Sequence, residues 1–206
     1  MKKESIVHSI LIDNTIHLIA EGGFEAATTH AITYSNVSAP DVKLNEVYIY
    51  RLFGGKEQLY AEAFEKLDSE LVGEISRDLV EFQNTEYSRD MKLKIMFMHL
   101  WHFLLQNEEH CRAYVRFYYS VYFKGMTQKK HNKHFNKVVE KFSVAFKPEA
   151  DVLSLLHSVL TTMLDFAIRV YNGELSDSED SADHIFNMLY SSLSSYFIAE
   201  NQTKTL

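Results

Sequence analysis

Ile49-Tyr50-Arg51-Leu52-Phe53-Gly54-Gly55-Lys56-Glu57-Gln58-Leu59-Tyr60 reads as the end of a short helix, a two-glycine break and the start of a long helix. Paired glycines accept left-handed backbone that other residues avoid, so the chain can turn sharply there. Before the break, Ile49, Leu52 and Phe53 have the spacing of one apolar helix face, which predicts that they are buried. Glu46, Val47, Tyr48 and Arg51 then fall on the exposed side. Asn45 is a suitable cap for this short helix, and Pro40 and Asp41 interrupt the chain ahead of it.

Working outward, the same helical spacing recurs along the chain. Ile6, Ile10, Ile12, Ile16 and Ile19 predict a first helix over 5–20, closed by Gly22-Gly23. Thr28 or Thr29 can cap a second, with Ile32 in the core. The helix that starts at Lys56 should reach about Gln83, before the polar break Asn84-Thr85-Glu86-Tyr87-Ser88. Further helices are predicted over 88–106, 108–123, from Thr127 to before Pro148, over 151–171 and over 182–199. The expected fold class is all-α, with about nine helices.

Composition agrees. Two Pro and seven Gly in 206 residues leave few forced breaks, which disfavours a β-protein with its frequent turns. Apolar residues at 46% and charged ones at 24% are typical of a globular chain. The single cysteine, Cys111, excludes an intramolecular disulfide and fits a reducing compartment, so a cytoplasmic location is expected. The N-terminus lacks the apolar core of a signal peptide. No run of roughly 20 uninterrupted apolar residues is present to span a bilayer.

Gly23-Phe24, Thr28-Thr29 and Ile32, followed by Asn45, Ile49, Tyr50, Phe53, Lys56, Glu57 and Leu59, resemble the signature at the DNA-binding end of the TetR family of transcription regulators. The resemblance implies a three-helix domain with a helix-turn-helix over 1–55. It also implies a ligand-binding and dimerisation domain over 56–206. The function it implies is a ligand-responsive regulator, a repressor, acting as a homodimer on a palindromic operator. The chain departs from the signature between Ile32 and Asn45. There Val37-Ser38-Ala39-Pro40-Asp41-Val42-Lys43-Leu44 replaces the family's glycine-valine-serine turn and lengthens the connection.

On that resemblance the candidate DNA-binding residues are Thr28, Thr29, Lys43, Asn45, Glu46, Tyr48, Tyr50, Arg51 and Lys56, with Lys2 and Lys3 as a basic arm. Hydroxyls, amides and cations of this kind position a helix on phosphates and reach base edges. Charge is less favourable: through Tyr60 there are five basic and seven acidic residues, so the domain is slightly acidic. That balance, and the lengthened turn, keep open an alternative in which the altered helix-turn-helix serves as a protein-interaction module or co-regulator that does not bind DNA by itself.

The candidate ligand-binding residues are Phe97, Trp101, His102, Tyr114, Phe117, Tyr118 and Met163, large adaptable side chains suited to an apolar or aromatic small-molecule effector. His99 and His102 share a helix face but lack the further ligands that a metal needs, so neither a metal nor a cofactor is expected. His131 and His134 lie among Lys129, Lys130, Lys133 and Lys137, which reads as a solvated basic face. Asp165 and Arg169 are spaced to pair along one helix. The last two helices carry apolar stripes beside small polar ones, which suits a four-helix homodimer interface. No phosphate-binding glycine loop, nucleophile motif or paired catalytic carboxylates are evident, so an enzyme is not expected.

Overall fold

The computed structural model describes residues 2–35, 42–81 and 87–199, without the side chains at 2, 3, 78–81 and 126. Pro40, Asp41, the five residues before Tyr87 and the Lys2-Lys3 arm's side chains lie outside the description. Among the described residues the chain is all-α: α1 (Lys2–Ala26), α2 (Thr29–Tyr34), α3 (Val47–Phe53), α4 (Lys56–Glu81), α5 (Arg89–Gln106), α6 (Glu108–Tyr118), α7 (Met126–Ser143), α8 (Val152–Tyr171) and α9 (Glu179–Leu193), followed by a 3-10 turn at Ser194–Tyr196. The chain divides into two compact units, one of residues 1–70 and 109–131, the other of residues 71–108 and 132–206.

Capping accounts for most of the helix starts. Thr28, Ser88, Asp151 and Ser178 each accept a hydrogen bond from a first-turn amide of the helix that follows. Ser178 shares its hydroxyl with Ser181, and Ser176 joins the pair, so this polar loop is an ordered cap. The start of α3 differs from the expected one. Glu46, not Asn45, occupies the cap position, and its side chain makes no capping bond. Asn45 supplies its carbonyl to Tyr48 N–H instead.

The first unit is built on α1. Ile49 and Phe53 of α3 and Ile32 of α2 are buried, and the His8 ring stacks on Phe53 at 4.4 Å. Asn14, fully buried in α1, donates its amide to the carbonyls of Ile32 (2.9 Å) and Ser35 (2.8 Å). A buried amide with two backbone acceptors fixes the end of α2 against α1 by directional bonds as well as packing. Gly23, at φ 77° and ψ −169°, breaks the helical path inside α1. The kink carries Phe24 into ring contact with Tyr60, Phe117 and Tyr122. A side chain at Gly23 would need the left-handed region, which explains the glycine beside this phenylalanine.

In this unit Tyr60 is enclosed and its hydroxyl donates to the Ala27 carbonyl at 2.6 Å. Burial, followed by the neighbouring Tyr122 and Glu25, raises its pKa from 10.0 to about 12. The unfolded chain therefore loses this proton near pH 10 while the folded chain keeps it. Stability from Tyr60 is complete below pH 10 and falls as pH rises toward 12. Replacement by Phe should flatten the alkaline limb of the melting temperature against pH between 10 and 12, and an unchanged limb would assign the loss to other groups.

The second unit packs α5 against α8 and α9. Phe146, before α8, forms an isolated antiparallel bridge with Phe197, and their rings lie 4.9 Å apart. Lys147 N–H donates to Tyr196 O at 2.8 Å, and Ile198 N–H to Ala145 O at 3.1 Å. This clip explains why the last helix stops at Leu193 and does not continue to Ala199. Phe197 takes extended backbone, with φ −74° and ψ 147°, to reach its partner. Likewise α6 ends at Tyr118, short of Phe123. Ser120 bonds the Phe117 carbonyl at 2.7 Å and Tyr122 N–H at 3.1 Å, which closes a turn.

Candidate nucleic-acid interface and apolar cavity

The expected DNA-binding residues gather around α2 and α3, and the structure assigns them unequal freedom. Thr29 donates its hydroxyl to the Glu46 carboxylate at 2.6 Å, which ties the start of α2 to the start of α3. Glu46 is thereby used within the protein. Thr28 caps α2 through Ala31 N–H at 3.0 Å. Arg51 holds its guanidinium 4.8 Å from the Tyr48 ring centroid and 3.5 Å from Glu4. Lys56 lies over the Tyr60 ring at 5.4 Å. Lys43 and Asn45 are exposed.

The exposed side of α3 is apolar and aromatic. Val47 is 66% and Tyr50 61% exposed, one helical turn apart, while Ile49 and Phe53 point inward. On α2, Tyr34 is exposed and stacks on His30 at 4.3 Å. His30 and Tyr34 were not singled out from the sequence. Their four-residue spacing on a short helix was the available signal.

The seven expected ligand-binding residues divide between the two units. Tyr114, Phe117 and Tyr118 belong to the first unit, where α6 sends them into a ring cluster with Phe64, Phe123 and His131. Burial, then the Asp68 carboxylate and its hydrogen bond, pushes the Tyr114 pKa well above its usual value. His131 is a correction to the solvated basic face. It is buried in α7, and its Nδ1 lies 2.7 Å from Asp68 Oδ1. The lysines around it fill the other sides of the helix and mask this inward position.

Phe97 and Met163 do share a site: an apolar cavity of about 110 Å³ in the second unit. Its walls are Leu93, Met96, Phe97 and Leu100 of α5, Phe135, Val138 and Phe142 of α7, and Leu156, Val159, Leu160 and Met163 of α8. Phe186, Leu189, Tyr190 and Leu193 of α9, with Ile75, Phe146 and Phe197, complete it. Trp101 is buried behind Phe97, with ring centroids 6.1 Å apart and planes nearly parallel, while His102 is exposed. Among the described lining residues Tyr190 alone has a hydroxyl, and hydrogen bonding to Asp90, ahead of burial, raises its pKa. The α7 contribution was legible as Phe135, Val138 and Phe142 at helical spacing, but the surrounding lysines drew the reading toward a polar helix.

The apolar stripes of α8 and α9 are largely spent on this interior. Ile185 and Leu189 are buried, and Leu189 and Leu193 face the cavity. The exposed sides carry Ser154, Ser158 and Asp165 on α8, and His184, Met188, Ser191 and Ser195 beyond and along α9. Asp165 pairs with Arg169 at 2.9 Å. By length and a mean hydropathy of 1.3, α8 alone among the described helices is apolar enough to cross a membrane. The cavity wall accounts for that apolarity. No group of three or more metal-ligating side chains occurs among the described residues.

No protein-family model matches the sequence, and no curated protein does. Solved structures do. A TetR family transcription regulator from Marinobacter aquaeolei VT8 superposes with a TM-score of 0.71 at 18% identity, covering 93% of this chain and 98% of that one. A Shewanella sp. PV-4 chain assigned to the same family reaches 0.72 at 12% identity, with the same coverage. A TetR-like transcriptional regulator from Rhodococcus sp. RHA1 reaches 0.59 at 15% identity, over 90% of this chain and 94% of that one. The chain therefore has the fold of the TetR family of transcription regulators.

Proposed function

We propose that this protein is a DNA-binding transcription regulator of the TetR family, a repressor that acts as a homodimer on a palindromic operator and is released by a small apolar effector. The observation that carries the reading is the α2–α3 arrangement. The two short helices are tied to each other by Thr29 and Glu46, Asn14 holds the end of α2 to α1, and α3 turns one side to solvent. A recognition helix held this way can enter a major groove without reorganising. In this reading residues 1–55 contact DNA and residues 56–206 sense the ligand and dimerise. The Lys43, Asn45, Tyr48, Arg51 and Lys56 side chains position α3 on the backbone. The exposed serine-bearing sides of α8 and α9 form the four-helix dimer contact.

The cavity in the second unit supports the effector. Its walls offer apolar surface and one hydroxyl, so the ligand is uncharged and hydrophobic over most of its length. A transcriptional regulator from Saccharomonospora viridis with a similar fold (TM-score 0.61, 14% identity) was solved in complex with choline, a cation. The walls described here suit a neutral ligand better. Effector binding acts by preferring the conformation in which the paired recognition helices no longer match successive major grooves. The reading involves no catalysis, and it places the protein in the cytoplasm with DNA.

A second reading, a TetR-fold protein-interaction module, is favoured by the apolar exposed side of α3 in a slightly acidic domain. Selection of random duplex DNA by the purified protein, repeated at rising salt, separates the two. Enrichment of a palindrome whose affinity falls with salt is the expected result. A folded, ligand-free sample that enriches no sequence at any salt would overturn the regulator and leave the interaction module.

A further inference from the structure

We infer that Val47 and Tyr50 read the 5-methyl groups of thymine, so that the operator half-site is specified mainly by apolar contact. The inference rests on the reading of α3 as the recognition helix. The first residues of such a helix approach base edges, and Val47 is the first residue of α3. Tyr50 follows one turn later, about 4.5 Å along the axis, close to the spacing of neighbouring base pairs. Two of the polar side chains beside them, Glu46 and Arg51, have partners within the protein. Glu46 accepts from Thr29, while Arg51 lies between the Tyr48 ring and Glu4.

The two exposed side chains of α3 that carry no charge are one branched aliphatic group and one phenol. Valine can neither donate nor accept a hydrogen bond, so no donor or acceptor pattern in a groove is complementary to it. The one apolar group on any base edge in the major groove is the thymine methyl. An exposed valine at the leading end of a recognition helix therefore selects A·T pairs at one position, and the Tyr50 ring extends that selection to the next. Arg51, the one guanidinium on α3, leans on the Tyr48 ring toward Glu4 and serves the phosphate backbone, not a guanine edge.

The test uses the enriched operator itself, resynthesised with deoxyuridine in place of thymine at one position at a time. Uracil keeps every hydrogen-bonding group of thymine and lacks only the methyl. At one or two positions in each half-site, affinity should fall roughly 3- to 5-fold, the loss expected for one buried methyl. In Val47→Ala the loss at one of these positions should vanish, and in Tyr50→Ala the loss at its neighbour. Val47 is exposed, so its truncation leaves the domain folded, and the DNA-side substitutions do not touch the protein at all. Undiminished binding to every uracil duplex, with the thymine operator still bound, would overturn methyl readout while the regulator reading stands. Failure to bind the thymine operator would overturn both.

Discussion

Asp68→Ala should destabilise the protein by about 3–5 kcal/mol, because buried hydrogen-bonding groups lose the carboxylate they share. Asp68 and His131 are each almost completely enclosed, with side-chain exposures of 2% and 1%, and their contact is 2.7 Å. Asp68 also accepts a hydrogen bond from the Tyr114 hydroxyl, so alanine strands two buried polar groups at once. Phe64, Tyr118 and Phe123 surround the imidazole, so water has little access to it. Asp68→Asn keeps an acceptor and should lose less. Urea unfolding followed by far-UV ellipticity measures both. A midpoint for Asp68→Ala within error of the parent would show that the pair contributes no more than a surface contact.

Trp101→Ala should cost a similar amount, about 3–5 kcal/mol, because a large buried aromatic leaves a void that its neighbours only partly fill. The void opens behind Phe97, whose ring rests on Trp101 and forms part of the cavity wall. The enlarged space should therefore take small apolar molecules, as engineered apolar cavities do. Toluene should raise the melting temperature of Trp101→Ala more than that of the parent. Equal shifts in both proteins would mean that the ring's space collapses or stays sealed from the cavity.

Much of the fold was legible in the sequence, because helical periodicity and caps are local. Ser88, Asp151 and Gly54 mark ends that the structure keeps within a residue or so. The misjudged ends depend on distant partners. Nothing near Leu193 announces a stop; the cause is Phe146, nearly fifty positions earlier. At the start of α3, Glu46 stands where Asn45 was expected, and its carboxylate is held by Thr29, 17 residues earlier. The sites follow the same rule. Exposure of Val47 and burial of Ile49 came from spacing alone. The split of Tyr114, Phe117 and Tyr118 from Phe97 and Met163 could not, since aromatic character is shared by cores and pockets. His131 was hidden for the same reason: its partner Asp68 lies 63 residues away, beyond any local pattern.

The clip between Phe146 and Phe197 has a consequence for how the protein is made. Phe197 and Leu193 are wall residues of the cavity, and they leave the ribosome after α5, α7 and α8 have already emerged. For that interval the nascent chain carries an uncapped trough of Leu, Met and Phe side chains, the kind of transient apolar surface that holdase chaperones bind and that aggregates when crowded. Emergence of residues 194–199 from the ribosome ends this vulnerable window. Soluble yield in a cell should therefore depend on what is fused close behind Ile198, even where the fusion leaves every helix intact.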